Sequence, residues 1–275
     1  MKLYLTDRIL SLISHTPDLT DIIPISSIQL ILSFLFVIIA TLIVIFLKIG
    51  LSGKVLIASF RCYAQLFISG YLLYYIFSHD NPLITIIILL VMIGFSVQNI
   101  ISLIENKPAG IILPVIASQG LTGVFISFLI TLCIIDVEPW YRAQYVVPIA
   151  GMVFGNSMSS ITLAAERVFS DVIRRKDEVQ MLVALGASPW EASLPSIREA
   201  VKAGLLPLIN RTATVGIVWI PGMMTGQVLA GAPPIEAAKY QIVIMLMLLA
   251  AGSLGAFTVI LWSYKKAFDK IGNLL

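Results

Sequence analysis

Long apolar segments constrain this sequence more than any other feature. A helix that crosses the hydrocarbon core of a membrane needs about 20 mostly apolar residues, and backbone groups in lipid must be paired within the segment, which favours α-helices. Seven segments meet this requirement, at residues 28–47, 55–77, 83–104, 111–135, 145–165, 203–230 and 241–262. We therefore predict an all-α, polytopic transmembrane helix bundle of about seven spans, that is, a multi-pass membrane protein.

The composition excludes a soluble protein. Hydrophobic residues make up 59% of the 275, charged residues make up 12%, and the mean hydropathy is +0.98. A soluble domain carries about twice that share of charge. The net charge of +3 does not indicate a nucleic-acid partner, because the basic residues fall in short segments between the apolar runs. Membrane lipid is the expected surrounding, and no nucleic acid is expected.

Lysine and arginine alternate between the loops, which predicts an orientation. With the N-terminus outside and the C-terminus inside, only Lys2, Arg8, Arg142 and Lys239 fall on the outer side. The cytoplasmic side then receives Lys48, Lys54, Lys107, Arg167, Arg174, Arg175, Lys176, Arg198, Lys202, Lys265, Lys266 and Lys270. We predict N-out/C-in topology in the inner, or plasma, membrane.

These boundaries divide the chain into three parts. Residues 1–27 form an extracytoplasmic segment with an amphipathic pattern, residues 28–265 form the transmembrane domain, and residues 266–275 form a cytoplasmic tail. The outer loops are too short for a folded domain. The one long polar segment, residues 166–202, is predicted to be cytoplasmic, so any partner or energy source is expected to meet the chain there.

No pattern of an enzyme is present. The string Gly50-Leu51-Ser52-Gly53-Lys54 lacks the spacing of a phosphate-binding loop, and no HExxH or GxSxG occurs. Cys62 and Cys133 lie in apolar runs and are interpreted as packing residues. We expect a transport subunit without an ATPase site, a catalytic residue or a cofactor of its own, and no metal ligands can be assigned.

A helix start is well defined within the cytoplasmic segment. Ser188 and Glu191 form a capping box, and Pro189 occupies the first helical position, where no backbone donor is lost. Pro195 is predicted to end this helix after about two turns. A short surface helix with an exposed Trp190 is suited to docking an energy-supplying partner; the alternative is a solvated turn between two helices. The predicted coupling residues are Gly186, Ser188, Pro189, Trp190 and Glu191.

Polar and irregular residues inside spans mark a candidate translocation path. Arg211 needs an acceptor, for which Glu166 and Glu199 are the expected candidates, and the Pro221-Gly222 break frees backbone carbonyls that only a cavity or protein contact tolerates. Small residues at four-residue spacing, at 151/155/159 and 222/226/230, either pack the bundle, form a subunit seam or line a moving surface. The path is predicted to include Asn156, Met158, Asn210, Arg211, Pro221, Gly222, Met223 and Met224.

Several strings resemble one known family. Val147-Pro148-Ile149-Ala150-Gly151-Met152, Gly155-Asn156-Ser157-Met158, the string Leu185 to Ser193, Pro221-Gly222-Met223-Met224-Thr225-Gly226 and Lys239-Tyr240-Gln241-Ile242 are similar to the FetB (YbbM) family of ABC-transporter permeases. The resemblance covers roughly residues 28–270. It implies an inner-membrane permease that exports iron, supports resistance to oxidative stress and is driven by a separate cytoplasmic ABC ATP-binding subunit, FetA-like, which uses the ATP.

The resemblance leaves the substrate open, because plant relatives are linked to aluminium tolerance and one pair to UDP-glucose transport. An ABC permease for another metal or a nucleotide sugar is therefore an alternative, as is a secondary transporter or channel. One chain with one docking helix is half of a two-motor arrangement, so a homodimer is expected.

Overall fold

The computed structural model describes residues 25–79, 81–105 and 108–268. Within these ranges the chain is helical and has no strand. Most of the predicted segment 1–27 and of the predicted tail 266–275 lies outside the described residues. The helices are α1 (Ser27–Leu32), α2 (Phe34–Phe46), α3 (Ser52–Ser78), α4 (Pro82–Leu103), α5 (Ile112–Phe128), α6 (Ala143–Arg174), α7 (Lys176–Ala184), α8 (Pro189–Thr214), α9 (Gly222–Leu229) and α10 (Pro234–Ser263).

Six helical stretches among the described residues are long and apolar enough to cross a membrane. The helical membrane bundle predicted from the sequence is confirmed. The stretches are Ser27–Phe46, Ser52–Ser78, Pro82–Leu103, Ile112–Ile134, Ala143–Arg174 and Pro234–Ala267.

One compact unit contains the described residues 25–79 together with Thr225–Ala237. In it, α2 packs against α3, and the rings of Phe34, Tyr63 and Phe67 follow one another with centroids 5.5 and 5.0 Å apart. Most large apolar side chains of α2 and α3 are exposed, for example Phe46 and Tyr74, as expected for helices that face lipid.

The other unit, Asp80–Met224 with Ala238–Leu275, is built around α6. This helix packs against α4, α5 and α8. Its side chains from Ile161 to Val172 join residues of α4, α5, α7, α8 and α10 in one buried cluster. A second cluster, which includes Val153 and Ile244, joins α5, α6 and α10. The core of this unit therefore lies along the whole length of α6.

The predicted sixth span, 203–230, is not one helix. The helix α8 ends at Thr214, residues 215–221 form a turn, and α9 begins at Gly222. Gly216 takes a positive φ of 81°, and its N–H donates to the carbonyl of Trp219. The break therefore begins six residues before the Pro221-Gly222 pair, where the sequence predicted it, and its backbone is partly paired within the turn.

The helix that begins at Ser188 is not short. Pro195 was predicted to end it after two turns, but α8 continues for 26 residues with Pro195 and Pro207 inside it. A proline removes one backbone hydrogen bond and crowds the preceding turn, but neighbouring helices can hold the helix together at that point. Ser193, Ser196 and Ile197 are buried on either side of Pro195, so tertiary packing overrides the local preference.

Close packing of α6, α8 and α10 depends on two glycines that the sequence did not single out. A Cβ on Gly204 would lie 2.9 Å from the carbonyl oxygen of Ser160, and a Cβ on Gly252 would lie 2.0 Å from Leu208. Small residues let helix backbones approach in lipid. By contrast, Gly155 and Gly226, from the predicted small-residue rows, have open space where a Cβ would stand.

Candidate functional site

The structure joins two of the predicted path residues. Nη1 of Arg211 on α8 donates to Oδ1 of Asn156 on α6 over 3.1 Å. The amide of Asn156 is fixed in turn, because its Nδ2 donates to the carbonyl of Met152 at 2.8 Å. Arg211 is exposed and Asn156 half-buried. Together with the exposed Asn210, these residues form the candidate site, here called the Arg211 site.

Arg211 was expected to pair with a carbonyl or a carboxylate such as Glu166 or Glu199, and the structure gives it the amide carbonyl of Asn156. Glu166 lies ten residues beyond Asn156 on α6, about 15 Å along the helix axis, and Glu199 lies about 18 Å from Arg211 on α8. Neither carboxylate reaches the guanidinium in the described structure, and a neutral amide takes their place. The guanidinium of Arg211 is therefore hydrogen-bonded, but none of the described residues neutralises its positive charge.

Asn156 lies near the middle of α6, a helix long enough and apolar enough to cross a membrane. Asn156 stands about 20 Å from the start of α6 at Ala143 and about 27 Å from its end at Arg174, at 1.5 Å per residue. A hydrocarbon core is about 30 Å thick. A guanidinium at this depth is costly unless it faces water, a cavity or protein, so the exposed face around Arg211 indicates a functional surface.

A groove between α6 and α8 lies further along the same helix pair, and its lining residues nearest to the Arg211 site are Leu163 and Leu206. Its cavity of about 540 Å³ is lined by charged, polar and apolar residues of both helices. Lys202 pairs with Glu199 at 3.8 Å, and Glu166 accepts from the backbone N–H of Glu105. The lining residues are Leu163, Glu166, Arg167, Ser170, Glu199, Lys202, Ala203 and Leu206.

The other predicted path residues do not converge on Arg211. Met158 packs against the large buried cluster around α6, and Met223 packs against the second cluster with Ile126 and Ile130. Pro221 is buried, Gly222 begins α9, and Met224 is half-buried. Met158 and Met223 therefore act in hydrophobic packing, as methionine commonly does.

The predicted coupling residues form a capped hairpin between α7 and α8. Gly186 has a φ of +96° and ends α7, where its N–H donates to the carbonyl of Val183. The capping box is present: the Glu191 N–H donates to Ser188 Oγ, and the Ser188 N–H donates to Glu191 Oε2 at 2.8 Å. The same backbone bond, with the Ser188 hydroxyl, lowers the pKa of Glu191 below its ordinary value.

Trp190 was predicted to be exposed, and this is wrong. Its ring is half-buried against the large cluster and meets the ring of Tyr264 edge-on at 5.1 Å. The contact ties the start of α8 to the end of α10. The exposed apolar side chains of the hairpin are instead Leu185, 78% exposed, and Met181, 57% exposed. Leu185 directly follows α7 and precedes the turn glycine Gly186, and this position in the sequence could have identified it as an exposed apolar residue.

A buried polar network joins α4, α5 and α6 and was not predicted from the sequence. Gln119 on α5 is fully buried, and its Nε2 donates to Ser96 Oγ on α4 at 2.6 Å and to the carbonyl of Phe154 on α6 at 3.1 Å. Ser157 donates to Gln119 Oε1 at 3.1 Å. Gln119 therefore holds three helices together beside the Arg211 site. A single glutamine within a long apolar run was the available signal.

Within the part of the chain that the structure describes, no three His, Cys, Asp or Glu side chains stand close enough to hold a metal ion. Cys62 and Cys133 are free and exposed. A bound cation would therefore have to use amide, hydroxyl or carbonyl oxygens, which bind transition metals more weakly than clustered carboxylates or imidazoles.

Comparison with known proteins identifies the family. The chain is 34% identical over 228 residues to "UPF0014 membrane protein slr1647" of Synechocystis sp., covering 82% of this chain and 88% of that one. It is 34% identical over 238 residues to "UPF0014 membrane protein YjkA" of Bacillus subtilis, covering 86% and 93%. It is 33% identical over 247 residues to "Probable iron export permease protein FetB" of Escherichia coli, covering 90% and 94%.

No solved structure matches the chain. The sequence profile described as "Uncharacterised protein family (UPF0014)" matches residues 27–268, which is nearly the extent over which the sequence resembled the family that includes FetB. The resemblance is thereby confirmed: this multi-pass membrane protein belongs to the UPF0014 family.

Proposed function

We propose that this chain is the membrane-spanning permease subunit of an ATP-driven transporter that exports iron across the inner membrane. A separate cytoplasmic ABC ATP-binding subunit, FetA-like, supplies the energy. The continuity of α8 is the observation that carries the proposal. One helix of 26 residues begins at the capped hairpin and reaches Arg211 near its other end.

A rigid connection is what coupling requires. From Pro189 to Arg211 the helix spans about 33 Å at 1.5 Å per residue. A partner that moves the hairpin therefore moves the Arg211 site, because α8 has no break between them. The Trp190–Tyr264 contact gives the same hairpin a second connection, through α10.

The hairpin has the features of a docking element. It is preformed by the glycine turn and the capping box, so little ordering entropy is lost when a partner binds. Leu185 and Met181 present apolar surface at its tip, and apolar anchors of this kind fill pockets at the centre of interfaces. Each chain carries one such hairpin, which fits a two-fold homodimer served by two ATP-binding subunits.

Iron as cargo is supported by one relative, whose printed name describes a probable iron export permease. The absence of a clustered metal site among the described residues fits a path that releases its cargo rather than storing it. A secondary transporter would be expected to carry a carboxylate or histidine relay at mid-depth; among the described residues, the spans have amides and Arg211 at that depth instead.

The test is export from proteoliposomes that contain this chain with and without its FetA-like subunit. Iron and, in parallel, manganese and zinc are loaded, and ATP is added on the side of the ATP-binding subunit. ATP-dependent loss of iron that needs both subunits would support the proposal. Movement without ATP would favour a secondary carrier or channel. ATP-dependent movement of manganese or zinc alone would mean that this metal, and not iron, is the cargo.

A further inference from the structure

The charge of Arg211 lacks a counter-ion in the described structure. Its one described side-chain acceptor is the neutral amide oxygen of Asn156. The remaining N–H donors of the guanidinium have no described partner, and the residue is exposed. Guanidinium groups pair most strongly with carboxylate and phosphate oxygens, often through two parallel hydrogen bonds.

The described residues of a second copy of the chain do not supply the missing charge. Acidic residues near α6 and α8 lie toward the helix ends: Asp136 and Glu138 precede α6, whereas Glu166 and Glu199 are about 15 to 18 Å away along the helices. Helices α2, α3, α4 and α5 contain no acidic residue. Symmetry would bring the same side chains to the same depth, so two-fold pairing of the described residues leaves Arg211 unneutralised.

Lipid phosphates do not supply it either. Asn156 lies near the middle of α6, so in a hydrocarbon core about 30 Å thick and centred on that helix the headgroups of either leaflet are about 15 Å away. An arginine near a helix end can extend its side chain to the headgroups, but one at this depth cannot. Since neither the described residues nor the headgroups supply the negative charge, the geometry favours a solute that enters the bundle.

The face of α6 that carries Asn156 leads from the cytoplasmic groove to the site. Ser159, Leu163 and Glu166 follow Asn156 at helical spacing, and the first two are exposed. Gly155 leaves open space beside Asn156. Charges in the groove are balanced, with Arg167 and Lys202 against Glu166 and Glu199, so the groove does not repel an anion. Arg211 is the charged group at the inner end of this face.

We propose that Arg211, oriented by Asn156, binds the cargo through a carboxylate or phosphate group, so that the cargo crosses the membrane as an anion. Iron transported by this chain then travels as an anionic chelate and not as a free cation. This inference rests on the proposed transport function and specifies its substrate class. Asn156 acts as a positioning residue, since it holds the guanidinium without neutralising it.

Binding is measured first, because it does not require transport. Detergent-purified chain is dialysed to equilibrium against radiolabelled citrate, ferric citrate or inorganic phosphate, and against Fe(II) with no organic ligand. The variants are Arg211→Gln, Arg211→Lys and the control Arg198→Gln, an exposed arginine on the same helix. We expect Arg211→Gln to weaken anion binding by about tenfold or more, Arg211→Lys to weaken it less, and Arg198→Gln to leave it unchanged.

Transport is then measured in proteoliposomes with the ATP-binding subunit, loaded with ferric citrate, with citrate alone, with phosphate or with Fe(II) alone. Export of ferric citrate but not Fe(II), lost in Arg211→Gln and kept in Arg198→Gln, supports an anionic chelate as cargo. Export of citrate or phosphate without metal supports an anionic cargo and excludes iron as part of that cargo. Equal export of Fe(II) in the wild-type chain and in Arg211→Gln overturns the inference while leaving the permease function intact.

If no cargo moves with ATP, the proposed permease function fails and the binding result decides the inference alone. Binding of an anion that depends on Arg211 supports it. Binding that Arg211→Gln does not weaken, or no binding of any anion by a folded chain, overturns it.

Discussion

The guanidinium of Arg211 and the amide of Asn156, 3.1 Å apart, join α8 to α6 near the middle of α6. The bond pairs a charge with a neutral acceptor, although a carboxylate would have stabilised the charge more. An asparagine here keeps the arginine in place and leaves its charge available. This relationship distinguishes a binding group from a structural ion pair, and the first prediction tests it.

Asn156→Asp should retain the fold and reduce transport. The aspartate would form an ion pair with Arg211 and occupy the group that we assign to the cargo, so ATP-driven export of ferric citrate should fall by about tenfold or more. Export is measured in proteoliposomes, with size-exclusion behaviour as the control for folding. A folded variant that exports at the normal rate would contradict the role of Arg211 as an anion site.

Gly204→Ala should destabilise the bundle, whereas Gly155→Ala should not. A Cβ on Gly204 meets the backbone of Ser160 at 2.9 Å, and a backbone atom cannot move aside cheaply; the expected cost is about 1–3 kcal/mol. Gly155 has open space, so alanine there should stabilise the helix by roughly 0.5–1 kcal/mol. Thermal unfolding of the purified proteins measures both. Equal stability of the two variants would mean that α6 and α8 are less closely packed than the structure shows.

Gln119→Leu should lower stability, and Gln98→Leu is its matched control. Gln119 takes part in three interhelical hydrogen bonds, each worth about 0.6 kcal/mol in a membrane, so the loss is about 2 kcal/mol. Gln98 on α4 is exposed, and leucine there should change little. The free energy of unfolding in mixed detergent micelles is the measurement; a larger loss in Gln98→Leu would refute the structural role of Gln119.

Leu185→Ser should weaken docking without weakening the fold, and Trp190→Ser should do the reverse. Leu185 is 78% exposed at the tip of the hairpin, while Trp190 packs against Tyr264, a ring contact worth about 0.5–1.5 kcal/mol beyond its buried area. The affinity of the purified chain for the proposed FetA-like subunit and the melting temperature of each variant separate the two roles. Unchanged affinity in Leu185→Ser would exclude the hairpin tip as the docking surface.

The stability of the capping box at Ser188 should decrease as the solution becomes acidic. Ser188 lowers the pKa of Glu191, so the charged carboxylate stabilises the folded cap. That contribution is fully present above the unfolded-state pKa of about 4.3 and is lost as the pH falls through the lower pKa of the folded chain. Hydrogen exchange at residues 189–192, corrected for intrinsic rates, should show protection at neutral pH that declines in acid. In Glu191→Gln, which has no carboxylate to accept the Ser188 N–H, this pH dependence should be absent.

The helical membrane fold followed from the sequence because apolar segments in lipid have few alternatives. Backbone pairing forces them into helices, and their length shows which segments can cross; six of the seven predicted spans are such helical stretches, whereas 203–230 is not one helix. The capping box was also determined locally, since Ser188, Pro189 and Glu191 act within one turn. Arg211 and Asn156 were both identified from the sequence, because placing a polar side chain in the membrane costs free energy and this cost is a property of each residue alone.

Tertiary structure decided which residues meet. Whether Pro195 ends a helix depends on the packing of Ser193 and Ile197 around it, and whether Trp190 is exposed depends on Tyr264, far along the chain. The acceptor of Arg211 depends on the register of α6 against α8, which Gly204 sets through close backbone approach. Sequence determines the cost of placing each group in lipid, but only the register of packed helices determines which partner reduces that cost.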